Sequence, residues 1–458
     1  MATETAAAPV VDLWVELAEP DPFAVFDAMR AAGVADVRRV GVLCASAAHV
    51  RAARAAGAAA VVAVGDPRAL AAAAPDLAVT PEELDAAVAA RYGPDGSQRR
   101  FVLLNPGPAL TTDAVKRAAG GVDLCHREPE YQQLDRRVRS KLRELAGVGT
   151  DWSIALLSGS GTAANESALR AAVRDGRRLL VVVNGVYGER LRTTAERAGI
   201  VTVPIEGSWT EPIDPGLVQA ALAVDPDVDA IAVVHHETTT GLLNPLAPIA
   251  DLAQLAGVRV VVDAISSFGV EEIDVQGIDF LTCSSNKCLH GLPGAAFVLV
   301  SPAGGRRARS VDPSSVALDL CTYLDGEASG SPPFTPAIPA LAALDVALDR
   351  ALAEGIEGRR GRYADRCEVL DFAFERLGLE QLVAAGARSH SIRSLRLPAG
   401  VSFAELHERL RVDGFVVYAG QGALAAHIFR VACMGELELD ELRRFVGALE
   451  RALGELRP

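Results

Sequence analysis

Three short stretches carry side chains whose types and spacing suit catalysis. Ser158-Gly159-Ser160-Gly161-Thr162 follows an apolar strand and opens a helix running to about Val173. Backbone N–H groups, a helix dipole and hydroxyls at such a point make an anion site fit for a phosphate. An ordinary strand-to-helix turn would use the same residues. Val260-Val261-Val262-Asp263 and Ser284-Ser285-Asn286-Lys287 each follow or close a buried apolar run. A carboxylate at one strand end and an ammonium beyond the next can face one cleft. Asp263 could instead cap a helix, and Lys287 could be a surface cation. The composition speaks against the second alternative: of 45 basic residues only Lys116, Lys141 and Lys287 are lysines. Lysine forms imines with carbonyls, which arginine cannot do. A phosphate cradle, a carboxylate for a protonated pyridine nitrogen and an imine-forming amine are together what pyridoxal phosphate requires.

These residues need a large scaffold, and the chain can supply one. Its 458 residues are half hydrophobic, enough for two to four domains at about 100–200 residues each. Disorder and fibrous rods are excluded. A net charge of −14 with no basic stripe makes nucleic acid a poor partner. No apolar run reaches the ~18–20 residues of a membrane span, and the start lacks the pattern of a secretory signal. The seven cysteines are scattered, with no CxxC pair and no zinc-type cluster, so no metal site is expected and a cytoplasmic location is.

Buried apolar runs at 154–157, 179–183, 231–234, 258–262, 280–283 and 297–300 predict strands covered on both faces, alternating with helices in a mostly parallel sheet. The fold class is therefore α/β. Residues 386–458 read as a small α+β domain: strand 391–397, helix 403–413, strands 415–418 and 427–432, helix 439–456. Residues 1–95 read as a separate αβ unit. Strands are expected at 40–43 and 60–64, and helices at 23–33, 47–56, 67–74 and 81–90. The Gly/Pro/charge stretch 92–100 would be the linker.

Eight stretches in order resemble the 2-aminoethylphosphonate–pyruvate aminotransferase family of class V, fold-type I aminotransferases. They are LLNPGPALTTDAVK (103–116), DLCHREPEY (123–131), LLSGSGTAANE (156–166), VNGVYGER (183–190), HHETTTGLLNP (235–245), VVDAISSFG (261–269), SSNKCLHGLPGAAF (284–297) and FRVACMGE (429–436). The resemblance implies a large cofactor domain over 101–385, a small domain over 386–458 and pyridoxal phosphate as cofactor. It implies transamination between 2-aminoethylphosphonate, or a close aminophosphonate, and pyruvate, giving phosphonoacetaldehyde and alanine in phosphonate metabolism. Alternatives are an alanine–glyoxylate or serine–pyruvate aminotransferase, or a lyase or decarboxylase acting on a phosphonate amino acid. By position, Ser160, Gly161 and Thr162 would hold the phosphate, Tyr187 would stack on the ring and Thr238 would lie near its hydroxyl. Asp263 would pair with the ring nitrogen, and Lys287 would bind the aldehyde and shuttle the proton. Thr335, in PPFTP, would reach the phosphate of a neighbouring subunit, which implies a homodimer. Arg430 and Arg127 would bind the substrates' anionic ends. Arg430 stands in the apolar run HIFRVAC, where an unpaired charge costs several kcal/mol, and this favours a ligand role. Two stretches depart from the family pattern: His126 and Tyr131 in DLCHREPEYQ, and Ala432 and Cys433 in FRVACMGE.

Residues 1–95 are similar to the C-terminal part of phosphonatase-type haloacid dehalogenase-like hydrolases. The magnesium-binding G-D-T-x-x-D stretch of those enzymes stands here as Cys44-Ala45-Ser46-Ala47-Ala48-His49. Both aspartates are replaced, so the segment is expected to be a remnant without hydrolase chemistry.

Overall fold

The computed structural model describes residues 13–16, 40–44, 49–50, 53, 60–64, 77–79 and 101–457. The chain divides into two compact units, Met1–Phe101 and Val102–Pro458. In the first, β1 (Leu13–Glu16), β2 (Val40–Cys44), β3 (Ala60–Val64) and β4 (Leu77–Val79) form a sheet in that order, every pair parallel. β2 and β3 fall on the two expected runs; β1 and β4 were not expected. Residues 49, 50 and 53 are helical, and Val42, Cys44, Val50 and Ala53 are buried. The other helices expected in this unit, the linker at 92–100 and Ala45 lie outside the described residues.

The second unit begins with β5 (Val102–Leu103), α1 (Asp113–Ala119) and α2 (Pro129–Ala146). There follow β6 (Ser153–Gly159), α3 (Gly161–Ala172), β7 (Arg178–Val183), α4 (Val186–Arg197), β8 (Val201–Glu206), α5 (Pro215–Val224) and β9 (Val228–Val234). Then come β10 (His236–Glu237), β11 (Leu242–Leu243), α6 (Leu246–Ala256), β12 (Arg259–Asp263), β13 (Phe280–Ser284) and β14 (Gly294–Val300). Strands β6-β14-β13-β12-β9-β7-β8 form one sheet in that order. Only β14 runs against the others.

The unbroken Val/Ile/Leu runs follow from burial on both faces. Leu180, Val182, Ile231, Val233, Val260 and Val262 enter one core, and their alternates Leu179, Val181, Val183, Ala230, Ala232, Val234 and Val261 enter the other. Because β6, β9, β12 and β13 are parallel, the loops after them open on one edge of the sheet. In such sheets that edge is where ligands bind.

The remainder comprises α7 (Pro302–Ala308), α8 (Leu320–Ser329), α9 (Ile338–Arg376), β15 (Ile392–Arg396), α10 (Phe403–Val412), β16 (Phe415–Val416), β17 (Tyr418–Ala419), β18 (Ile428–Ala432) and α11 (Leu439–Leu456). α9 is two helices joined at Gly355, whose backbone is non-helical (φ 73°, ψ 161°). Tyr363, Cys367, Leu370 and Phe374 of its second half share a core with Leu395, Phe429, Val431, Phe445 and Leu449. The strand expected over 415–418 is split. Phe415–Val416 pairs with β5, whereas Tyr418–Ala419 pairs with β18. No described helix is long and apolar enough to cross a membrane.

Candidate active site

Asp263 is the last residue of β12 and is almost wholly buried. One carboxylate oxygen accepts from the N–H of Ile265 at 3.0 Å, a local turn bond. The other accepts from Asn165 Nδ2 of α3 at 2.7 Å. Asn165 is fixed in turn, because its Oδ1 accepts from the Thr282 hydroxyl. Burial pushes the Asp263 carboxyl above the usual range; these two bonds and the charges of Lys287 and Arg190 offset part of that shift. Asp263 therefore caps no helix, and its local turn bond occupies only one of its oxygens.

Lys287 lies three residues beyond β13, half-buried, and its Nζ donates to the carbonyl of Pro106. Its stem passes over Gly107, where an added Cβ would sit 2.5 Å from Lys287 Cδ and 2.9 Å from Nζ. Gly107 also has φ +95°, a conformation that favours glycine, and a side chain there would push the lysine tail aside. Burial lowers the Lys287 amine below the ordinary lysine range and Arg430 adds to this, while Tyr187, Cys288 and Asp263 oppose it. The other two lysines have ion-pair partners: Lys116 meets Asp113 at 3.6 Å, and Lys141 meets Asp345 and Asp349 at 2.6 Å each.

Ser160 caps α3 with extended backbone, and its side chain makes no capping bond. Its exposed hydroxyl and the first N–H groups of the helix are therefore available to a ligand. Gly161 is packed so closely that a Cβ would run into the Ile265 side chain. Thr162 is half-buried beside it.

Tyr187, in the first turn of α4, is half-buried with Arg190 over its ring at 4.6 Å. Thr238 is buried and its hydroxyl has no partner. The carbonyl of Thr238 accepts from Arg430 Nη1 at 2.9 Å. Arg430, 2% exposed on β18, also donates from Nε to Ala419 O (2.9 Å) and from Nη1 to Gln421 Oε1 (3.2 Å). Among the described residues its guanidinium pairs with no carboxylate within 4.0 Å, and none accepts from Nη2. Tyr187, Arg430 and Asp263 are near enough for their charges to act on Lys287 together.

Two expected residues stand apart from this cluster. Arg127 is exposed in the loop before α2, and Thr335 is exposed in the loop before α9. That second loop is nonetheless tied to the α3 turn, since the N–H of Ala337 donates to Ser158 Oγ at 2.7 Å. His235 and His236 are buried in the scaffold, with His236 Nδ1 2.9 Å from Ser266 O. Cys283 and Cys288 are buried, whereas Cys125 is exposed. Asn165, Gly107 and Glu237 were not singled out in the sequence. Glu237 had a visible signal, a lone acid inside HHETTTG, but beyond its neighbour Thr239 its partners Tyr187 and Gly188 lie some fifty residues away.

The profile of the class-V aminotransferase family matches residues 115–421. The 2-aminoethylphosphonate–pyruvate transaminase of Pseudomonas aeruginosa is 36% identical over 369 residues, 79% of this chain and 98% of that protein. A protein of the same name from Burkholderia pseudomallei is 38% identical over 365 residues, 78% of this chain and 98% of its own. Among solved structures, pyridoxamine–pyruvate aminotransferase from Mesorhizobium loti matches with a TM-score of 0.74 at 26% identity, covering 79% of this chain and 93% of its own. Ureidoglycine–glyoxylate aminotransferase from Bacillus subtilis shares the fold, with a TM-score of 0.74 at 22% identity over 78% of this chain and 94% of its own.

Proposed function

Because the chain belongs to the class-V aminotransferase family, we propose that its cleft binds pyridoxal phosphate and transfers an amino group from 2-aminoethylphosphonate, or a close aminophosphonate, to pyruvate. The products are phosphonoacetaldehyde and alanine. The observation that carries the substrate reading is Arg430, a buried guanidinium without a carboxylate partner that acts on the charge of Lys287. A fork with an open N–H and an uncompensated charge suits the carboxylate or phosphonate end of a small substrate.

The residues suit this cofactor. Ser160, Gly161 and Thr162 would take the phosphate at the α3 start, and Tyr187 would cover the ring. The unpartnered Thr238 hydroxyl would meet the ring's own hydroxyl. Asp263 would hold the proton on the ring nitrogen. A carboxyl lifted by burial gains its missing counter-charge from such a cation. When bound, the cofactor supplies a reactive aldehyde and a ring that withdraws electrons from the substrate's Cα. Lys287, whose amine is favoured in its neutral form by burial, would bind the aldehyde and, once displaced, take the proton from Cα. Arg430, with Arg127 in support, would hold the anionic end of each substrate in turn.

In this reading residues 101–385 act as the cofactor domain and 386–458 as the domain that brings Arg430. The exposed Thr335, two residues before the Ala337–Ser158 bond, supports a homodimer in which it serves the neighbour's phosphate. Residues 1–95 would be a dehalogenase-like remnant without its own chemistry. A cytoplasmic location agrees with buried thiols such as Cys283 and Cys288.

A donor screen tests the substrate class. 2-Aminoethylphosphonate with pyruvate should outpace alanine or serine with glyoxylate or pyruvate by at least about tenfold in kcat/KM, the worth of one good charged contact. Preference for alanine or serine would assign the alanine–glyoxylate or serine–pyruvate activity instead. Product formed without any keto acid turnover would indicate a lyase or decarboxylase.

A further inference from the structure

Glu237 is wholly buried, and the chemistry proposed above makes no use of it. Its carboxylate nevertheless accepts four hydrogen bonds. Oε2 takes the N–H groups of Tyr187 (3.0 Å) and Gly188 (3.2 Å), and Oε1 takes the N–H (3.0 Å) and hydroxyl (2.6 Å) of Thr239. The Thr239 hydroxyl in turn accepts from the N–H of Val186 at 3.0 Å. Three N–H groups at the start of α4 are thus satisfied, directly or through Thr239, by a side chain from another strand. The helix's own N-cap, Gly185, has no side chain to do so. Gly185 also clears the space, because a Cβ there would collide with the Glu237 side chain. A carboxylate accepts only, and negative charge is favoured at a helix start, so the acid suits this point. The next residue, Thr238, offers its carbonyl to Arg430, and its buried hydroxyl has no partner.

We propose that Glu237 is the positioning residue that joins the two halves of the site, fixing Tyr187 over the cofactor ring and the Thr238 backbone against Arg430. The proposal rests on the cofactor reading above.

The full-length holoenzyme carrying Glu237→Gln tests this. An amide in place of the carboxylate turns an NH2 group toward N–H donors and removes the charge. Cofactor binding should become about 10- to 100-fold weaker, as expected for lost bonds to a charged acceptor. The visible absorption band should shift, and KM for pyruvate should rise about tenfold or more. Thr239→Val removes the 2.6 Å hydroxyl donor and the acceptor for the Val186 N–H but keeps the carboxylate and its other three bonds; it should move the same three readouts in the same direction by a smaller factor. It also decides the matter if the Gln variant does not fold. A folded variant with a lower melting temperature but wild-type cofactor affinity, spectrum and KM would assign Glu237 a purely structural role and overturn the proposal. Wild-type protein in the same titration separates the two readings. A wild type that does not retain the cofactor overturns the function together with the role of Glu237. A liganded wild type matched by both variants overturns the role alone.

Discussion

Removing the Arg430 fork should separate substrate binding from cofactor binding. Nε and Nη1 of Arg430 are committed to Ala419 O, Thr238 O and Gln421 Oε1. The fork therefore offers a substrate its charge and Nη2. A buried charge-assisted contact of that kind is worth about 2–4 kcal/mol, which converts to roughly 30- to 1000-fold in kcat/KM. Arg430→Ala should lose that factor for both 2-aminoethylphosphonate and pyruvate, with the visible cofactor spectrum unchanged. It also leaves the Thr238 and Ala419 carbonyls without their donor, so stability should fall by about 1–3 kcal/mol. Arg430→Lys keeps the charge but not the planar fork, and should fall between wild type and Ala. Steady-state alanine formation, measured against each substrate in turn, gives the two constants. Values within about threefold of wild type for both substrates, far short of the contact's worth, would refute the anchoring role.

Lys287→Ala should abolish turnover, and borohydride should fix the cofactor to the wild-type peptide containing Lys287; label on Lys116 or Lys141 would contradict the assignment. Acid sensitivity should reflect His290, whose imidazole is held down to about 3 by burial. Its partner Glu436 is held down to about 2, against burial, by the bond from His290 and by nearby arginines. Below about pH 6.5 the unfolded chain binds a proton at this histidine that the folded chain excludes. Unfolding free energy should therefore fall with pH, this histidine contributing up to about 1.4 kcal/mol per unit, with buried His235, held down to about 4, and His236 adding their own shares, and Glu436 adding its share below about 4.5. His290 has φ 60°, a conformation asparagine tolerates, so His290→Asn should fold and show a shallower slope between pH 6.5 and 4.5; an unchanged slope would remove His290 from the account. The full-length chain with magnesium should release no phosphate from phosphonoacetaldehyde, since His49 and its neighbours replace the metal-binding carboxylates; phosphate release would show hydrolase chemistry in the N-terminal unit.

Legibility in the sequence followed burial. The runs at 179–183 and 280–283 lie within β7 and β13 because both faces of those strands are covered, so every position is buried and all but Thr282 are apolar. β8 escaped notice because it is the edge strand. Val201 is exposed, Pro204 interrupts the run, and only Ile205 is fully buried. The split of the strand expected over 415–418 was invisible for a different reason. Its first half pairs with Val102–Leu103, more than three hundred residues earlier, and no local pattern encodes that partner. In the site, Asp263 and Lys287 could be read because each follows an apolar strand and because lysine is scarce. Asn165 and Glu237 could not, since an amide on a helix and an acid in the two-residue strand β10 acquire their meaning through partners on other elements. Asn165 meets Asp263 from α3, and Glu237 meets the start of α4.

The central claim is amino-group transfer from an aminophosphonate, and a single-turnover half-reaction tests it most directly. Purified holoenzyme mixed with 2-aminoethylphosphonate and no keto acid should yield about one equivalent of phosphonoacetaldehyde per site and then stop, as expected when the amino group stays on the protein-bound cofactor. Pyruvate added afterwards should release a matching amount of alanine and restore the original absorption spectrum. Continuous aldehyde production without keto acid, or no aldehyde while alanine and glyoxylate react freely, would contradict the account.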